Sequence, residues 1–181
     1  MRRVAEPERI QRFMTALGGK ATQPARLYFT GGATAVLLGW RASTIDVDIH
    51  IIPDDDRLLR ALPELKEDLE MNVELACPSH FIPELPGWQA RSLFIAQEGK
   101  LSFYHYDLYA QALAKIERGH ALDVTDVEQM FRRALIEPMQ LKKLFEAIVP
   151  ELYRYPAIDP PAYRRAVEKM IDDINDSAEK L

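Results

Sequence analysis

Only one cysteine, Cys77, occurs among the 181 residues. A lone thiol cannot close an internal disulfide and cannot furnish a cysteine-based zinc site. Long apolar runs are missing too: the longest wholly apolar stretch near the start, Ala35 to Leu38, is far shorter than the ~20 residues of a membrane-spanning helix. Met1-Arg2-Arg3 leads into the polar segment Glu6 to Gln11 with no apolar stretch between, so no signal peptide is expected and a cytoplasmic address follows by default. Nor is there an excess of positive charge. With 23 Lys and Arg against 28 Asp and Glu, the net charge of −5 argues against sequence-independent binding to nucleic acid, which draws on cations at phosphates. Arg132-Arg133 and Lys142-Lys143 leave a local basic groove open, but acidic residues surround them and a solvated helical face is the blander reading. The four histidines, His50, His80, His105 and His120, have no metal-ligand spacing.

What is present describes an ordinary globular chain, 48% hydrophobic and 28% charged, long enough for one compact domain or a small core with a helical appendage. Residues 3–17 have a helical period through Ile10, Phe13, Met14 and Leu17, ended by Gly18-Gly19. A short strand is expected over Arg26 to Phe29, then Thr30-Gly31-Gly32 and a helix from Ala33 to Leu38. Residues 45–52 alternate, with Ile45, Val47, Ile49 and Ile51 on one face and Asp46, Asp48 and His50 on the other, the pattern of a strand. Pro53 to Asp56 caps a helix carrying Leu58, Leu59, Leu62 and Leu65; Asn72 to Ala76 reads as a strand. The proline-rich stretch Cys77 to Trp88 reads as an ordered loop, and Leu93 to Ala96 with Leu101 to Tyr106 as a hairpin. Beyond Asp107 only helices are expected, at 108–117, 123–134, 138–148 and 160–175, with Pro156 to Pro161 setting the last one apart. The class is therefore α/β (α+β in some schemes): a mixed-sheet core over 1–106 and a helical part over 107–181.

Asp46 and Asp48 are the centre of the chemistry. Two residues apart on a strand, their carboxylates leave the same face and repel unless a proton or a cation intervenes. A hard cation such as Mg²⁺ prefers such oxygens and keeps positions open for water and phosphates. The same pattern on a solvated face would serve solubility alone. Gly31-Gly32, between a strand and a helix, would let backbone approach a phosphate; a plain turn is the other reading.

The order strand, Gly31-Gly32, helix, Asp46-x-Asp48 resembles the signature of the nucleotidyltransferase superfamily, which includes DNA polymerase beta, tRNA-processing nucleotidyltransferases and antibiotic nucleotidyltransferases. The fuller string from Phe29-Thr30-Gly31-Gly32-Ala33-Thr34-Ala35 through Arg41-Ala42-Ser43-Thr44-Ile45-Asp46-Val47-Asp48 is similar to bacterial nucleotidyltransferase-like proteins and, more distantly, to AbiEii-like abortive-infection toxins. Ala112-Leu113-Ala114-Lys115 and Leu122-Asp123-Val124-Thr125-Asp126 also resemble a later pattern of such chains, so the likeness spans about 27–130.

That resemblance implies a small mixed nucleotidyltransferase sheet with a helical subdomain, and transfer of a nucleoside monophosphate from an NTP to an acceptor hydroxyl. Catalytic roles would fall to Asp46, Asp48, Glu74 and Lys115, with Mg²⁺ or Mn²⁺ on Asp46, Asp48 and Glu74. Glu74, in Val73-Glu74-Leu75, matches the family's third carboxylate, although an edge-strand Glu facing water is the alternative. Asp107 competes for that role and equally resembles an N-cap. Nucleotide contacts would come from Gly31, Gly32, Thr34, Arg41, Ser43 and Asp123. Lys115, read as lying opposite the stripe of Leu108, Ala112 and Ile116, would meet a triphosphate or else be a surface lysine. Asp123 would orient Lys115 or cap its helix, and Arg41 would touch phosphate or pair with Asp54. The expected partners are an NTP and an unidentified acceptor (tRNA, protein or small molecule), with no membrane. A non-catalytic nucleotide- or partner-binding relative, for example a toxin–antitoxin component with a cognate protein partner, stays open, as does a metal-dependent phosphohydrolase.

Overall fold

The computed structural model describes residues 3–178. Met1 and Arg2, which enter the signal-peptide expectation, lie outside the described residues. The chain forms two compact units that alternate along the sequence. One comprises Met1–Cys77 and Ser92–Tyr106, the other Pro78–Arg91 and Asp107–Leu181.

The first unit contains α1 (Pro7–Gly18), β1 (Ala25–Thr30), α2 (Gly31–Leu37), β2 (Asp46–Ile52), α3 (Asp56–Asp68), β3 (Asn72–Leu75), β4 (Leu93–Glu98) and β5 (Leu101–His105). Its five strands form one mixed sheet in the order β3-β2-β1-β5-β4. β1 runs antiparallel to β2 and parallel to β5, β2 runs parallel to β3, and β4 and β5 form the expected hairpin. The class is α/β with a small mixed sheet, as anticipated.

One sheet face is built from the apolar alternation of the strands. Leu27, Phe29, Val47, Ile49, Ile51, Val73, Leu101 and Phe103 join Ile10, Phe13, Met14 and Leu17 of α1 and Leu58, Leu62 and Leu65 of α3 in one buried cluster. Phe29 stacks on Phe103 with ring centroids 5.9 Å apart and takes Phe13 edge-on at 6.4 Å. The side chain of Asp55 caps α3 by accepting from the backbone of Arg57 and Leu58, as the acidic run before that helix predicts.

Two expectations need correction here. The first helix begins at Pro7, not at residue 3, because proline suits the first helical turn and drives the residue before it into extended backbone. The preceding chain is extended instead: Ala5 bridges to Thr44, and Arg3 N donates to the Glu70 carbonyl. Ile45, expected on the buried face, is 74% exposed. It sits at a bend where Thr44 has turned back to pair with Ala5, one residue ahead of the ladder.

The second unit is helical, with α4 (Trp88–Arg91), α5 (Leu108–Arg118), α6 (Ala121–Arg132), α7 (Pro138–Ile148) and α8 (Pro160–Ala178), plus 3-10 turns at Pro78–His80 and Val149–Arg154. The stretch expected as a loop is tied into it: the Tyr155 hydroxyl donates to the Ser79 carbonyl, and Arg91 pairs with Asp107 at 2.6 Å. Pro156 to Pro161 does not set α8 apart. Tyr163 of α8 donates to the Leu113 carbonyl of α5 and packs its ring edge-on against Phe145 of α7. Among the described residues, no helix is long and apolar enough to cross a membrane.

Candidate active site

Strand β2 buries Val47, Ile49 and Ile51 and leaves Asp46, Asp48 and His50 partly exposed on the opposite face, the outcome expected of a period-two pattern. The neighbouring parallel strand β3 is aligned so that Asp48 faces Glu74 and Asp46 faces Asn72. Aligned residues of paired strands project to the same side, so Glu74 joins the two aspartates. Asn72 sits between them. Its Nδ2 donates to Asp46 Oδ1 at 2.6 Å and to Glu74 Oε1 at 2.9 Å. Ionised carboxylates only accept, so the NH₂ end of the amide must be the end that faces them. Sequence reasoning missed Asn72, although its place two residues before Glu74 on a strand was a same-face signal.

The glycine pair lies beside this group in an unexpected way. Gly31 and Gly32 are the first residues of α2, not a turn ahead of it. Gly31 has φ +61°, and a Cβ there would lie 2.7 Å from Asp48 Oδ2. Glycine thus serves both the left-handed backbone and the close approach of the acid. The space over Gly32 is already filled, because a Cβ would lie 2.0 Å from Thr44 Oγ1. Thr44 also donates its hydroxyl to the Asp46 carbonyl, which anchors the entry to β2. Arg41 and Ser43, half-buried, belong to this same connecting segment, where Arg41 N donates to the Ala35 carbonyl.

Other anticipated residues lie elsewhere. Thr34 is fully buried; its hydroxyl reaches the Phe29 carbonyl at 3.2 Å and His105 Nδ1 at 3.3 Å. A hydroxyl has one proton, and the carbonyl can only accept it, so Nδ1 of His105 is the protonated nitrogen in that contact. Burial pushes the His105 imidazole down to about 4, which keeps it neutral near pH 7.

Lys115 is buried in the helical unit, with Nζ 2.7 Å from Asp126 Oδ2 and 3.3 Å from Asp123 Oδ1. It does not lie opposite the apolar stripe of α5. Seven positions after Leu108 and next to Ile116, it falls on that stripe, and two acids from α6 compensate its charge. Asp123 also receives Arg118 at 2.6 and 2.7 Å. Burial pushes the Asp123 carboxyl up, yet Arg118 and Lys115 together outweigh it and hold the group below the ordinary carboxylate range. Asp123 thus lies beside Lys115 in the first turn of a helix whose N-cap is His120, so it does not cap that helix. Asp107 is 1% exposed, caps α5 through Tyr109 N and receives Arg91, so its oxygens are engaged within the helical unit. Burial raises its carboxyl, against the opposing pull of Arg91.

Asp46, Asp48 and Glu74 are the hard oxygen donors that suit Mg²⁺ or Mn²⁺. Their convergence is incomplete. Among the described residues, no three or more His, Cys, Asp or Glu side chains stand together as metal ligands. The Asn72 amide nitrogen lies between two of the three carboxylates. On the same sheet face the row continues through aromatic rings: Tyr28 is 6.5 Å from His50 and stacks on Tyr104 at 5.4 Å, while the Arg26 guanidinium lies 5.8 Å above Tyr104.

Comparison with known proteins adds one finding. A family model described as "Nucleotidyltransferase of unknown function (DUF6036)" matches residues 8–173. No curated protein and no solved structure matches the chain significantly.

Proposed function

The chain belongs to this family of nucleotidyltransferases of unknown function, and from that premise we propose that it moves a nucleoside monophosphate from an NTP to an acceptor hydroxyl. The observation that carries the reading is the register of β2 on β3, which puts Glu74 beside Asp48 on the face that also presents Asp46. These three side chains would hold Mg²⁺ or Mn²⁺, which when bound neutralises phosphate charge and acidifies the acceptor hydroxyl. In the transfer the acceptor oxygen bonds to the α-phosphorus, the bond from that phosphorus to the bridging oxygen breaks, and pyrophosphate departs. The acceptor's proton passes to Glu74, the most exposed of the three carboxylates and the one on the separate strand. Gly31 contributes by admitting the Asp48 carboxylate close to the start of α2.

The test is incubation with each α-labelled NTP, Mg²⁺ or Mn²⁺, and a pool of tRNA, proteins and metabolites, reading pyrophosphate release and label transfer. Wild type should transfer label, and Asp48→Asn and Glu74→Gln should each lose roughly 10²-fold or more. Transfer that survives both substitutions sinks the assignment.

A second reading is favoured by the Lys115 cluster: binding of a nucleotide or a protein partner without transfer, as in a toxin–antitoxin component. A lysine engaged by Asp123 and Asp126 is not poised to grip a triphosphate. On that reading NTP and NMP bind alike and no pyrophosphate appears with any acceptor.

A further inference from the structure

We propose that the sheet face of Tyr28 docks the 3′ end of a single-stranded nucleic acid. Its bases lie on Phe94 and Tyr104, a phosphate meets Arg26, and the terminal hydroxyl points to Asp48 and Glu74. The inference rests on the transferase reading, because it names the acceptor, but it needs no metal at the acids.

The strand register sets two rows side by side. Phe94 is opposite Tyr104, Tyr104 opposite Tyr28 and Tyr28 opposite His50, so a line of rings crosses β4, β5, β1 and β2. Two residues further along, Thr30 is opposite Asp48 and Asp48 opposite Glu74. Residues two apart on a strand share a face and lie about 7 Å from each other. Arg26, two residues before Tyr28, flanks the rings on the side away from the acids, with its guanidinium 5.8 Å from the centre of the Tyr104 ring.

Packing accounts for only part of this row. Tyr28 is 1% exposed and stacks on Tyr104 at 5.4 Å, the ordinary service of a cross-strand pair. Phe94 is different: it is 61% exposed on an edge strand, where an apolar side chain is a liability, and it meets Tyr104 edge-on at 5.6 Å. Tyr104 and His50 are half-buried, and Arg26 is exposed. Rings that water can reach, with a guanidinium beside them, are what unstacked bases and their phosphates dock on.

Charge decides which molecule lies along this face. From Arg26 through the rings to Asp48 and Glu74, the surface runs from a cation to anions. A donor NTP with its base on the rings would leave Arg26 without an anion, because all its phosphates lie on the acid side. A strand end reverses this. Its phosphates trail back toward Arg26, and only a neutral hydroxyl, which can donate to a carboxylate, meets the acids. The net charge of −5 is compatible with such binding, since stacking rather than counterion release supplies the affinity.

The experiment is fluorescence anisotropy of the full chain with a 5′-fluorescein RNA hexanucleotide ending in a 3′ hydroxyl. The same strand with a 3′ phosphate, and with abasic sugars at its last two positions, serves as comparison. Wild type should bind the base-bearing hydroxyl strand at least about fivefold more tightly than either of the others. Phe94→Ala should weaken it by about fivefold to hundredfold, Phe94→Trp should restore it, and Arg26→Met should weaken it, with circular dichroism verifying that each variant folds. The platform is wrong if no strand binds, if base-bearing and abasic strands bind alike, or if Phe94→Ala binds as wild type does, whatever the transfer assay gives. If Phe94→Ala weakens ATP as much as RNA, the rings hold the donor base and the inference is equally overturned. If RNA binds as expected but label is never transferred, the docking stands and the transferase reading fails.

Discussion

Thr34 and His105 set an acid limit on the sheet unit. The buried imidazole titrates near 4, against about 6.5 for an unfolded chain. The folded state thus disfavours the charged form. The His105 contribution is whole above pH 6.5, shrinks as pH falls from 6.5 toward 4, and levels off below that. A gap of this size corresponds to about 3 kcal/mol lost across the window. His105→Gln keeps a donor for Thr34 without titrating, so its urea midpoint should change less between pH 7 and pH 4.5 than that of wild type. Equal pH dependence of the two proteins would refute the assignment. That Asp46 and Asp48 leave one face was legible because strand alternation fixes which side a residue leaves, whereas Glu74 came from the family resemblance and its place beside Asp48 from the β2–β3 register. Thr34 was not legible, because Ala33, Thr34, Ala35 and Val36 are all buried and so short an enclosed helix has no polar face to reveal its orientation. Gly32 could be read as space for phosphate only while its occupant, Thr44, twelve residues away in sequence, was unknown.

At the level of elements, α5 and α6 are joined by a charge cluster that apolar patterning conceals. Lys115 and Arg118 from α5 meet Asp123 and Asp126 from α6, and Lys115, Asp123 and Asp126 are all buried. Removing one partner strands a buried charge, so Lys115→Met should destabilise the chain by about 3–5 kcal/mol in urea unfolding. A loss below about 1 kcal/mol would mean that water reaches these acids. Loss of activity in a Lys115 variant would therefore not identify a phosphate contact unless the fold is measured alongside it. The helices themselves were legible from their three-to-four spacing, and β2 from its alternation. The start of α1 was missed because hydrophobic period alone was followed upstream of Pro7, where the proline already marks the first turn.

Across the whole molecule, the end of strand alternation at Tyr106 was visible in the sequence, but the affiliation of Pro78–Arg91 with the helical unit was not. The bonds that claim it, Tyr155 to Ser79 and Asp107 to Arg91, join positions far apart in sequence, and no local pattern reports such pairs. A fragment ending at Tyr106 would carry Ile82, Leu85 and Trp88, all buried in the whole chain, without the helices of their unit. It should bind more ANS and self-associate more strongly than the full chain, as dye fluorescence and size-exclusion chromatography will read. A monodisperse, dye-silent fragment would show that 78–91 is self-sufficient. The same interleaving gives synthesis a fixed order of events. The last strand of the sheet unit ends at His105, and residues 78–91 are synthesised before it, while their partners run on to Ala178. At roughly 5–20 residues per second, about seventy further residues take some 4–15 s to make. Until those partners emerge, the nascent chain carries an apolar segment without the helices of its own unit, and that is when a chaperone would find it.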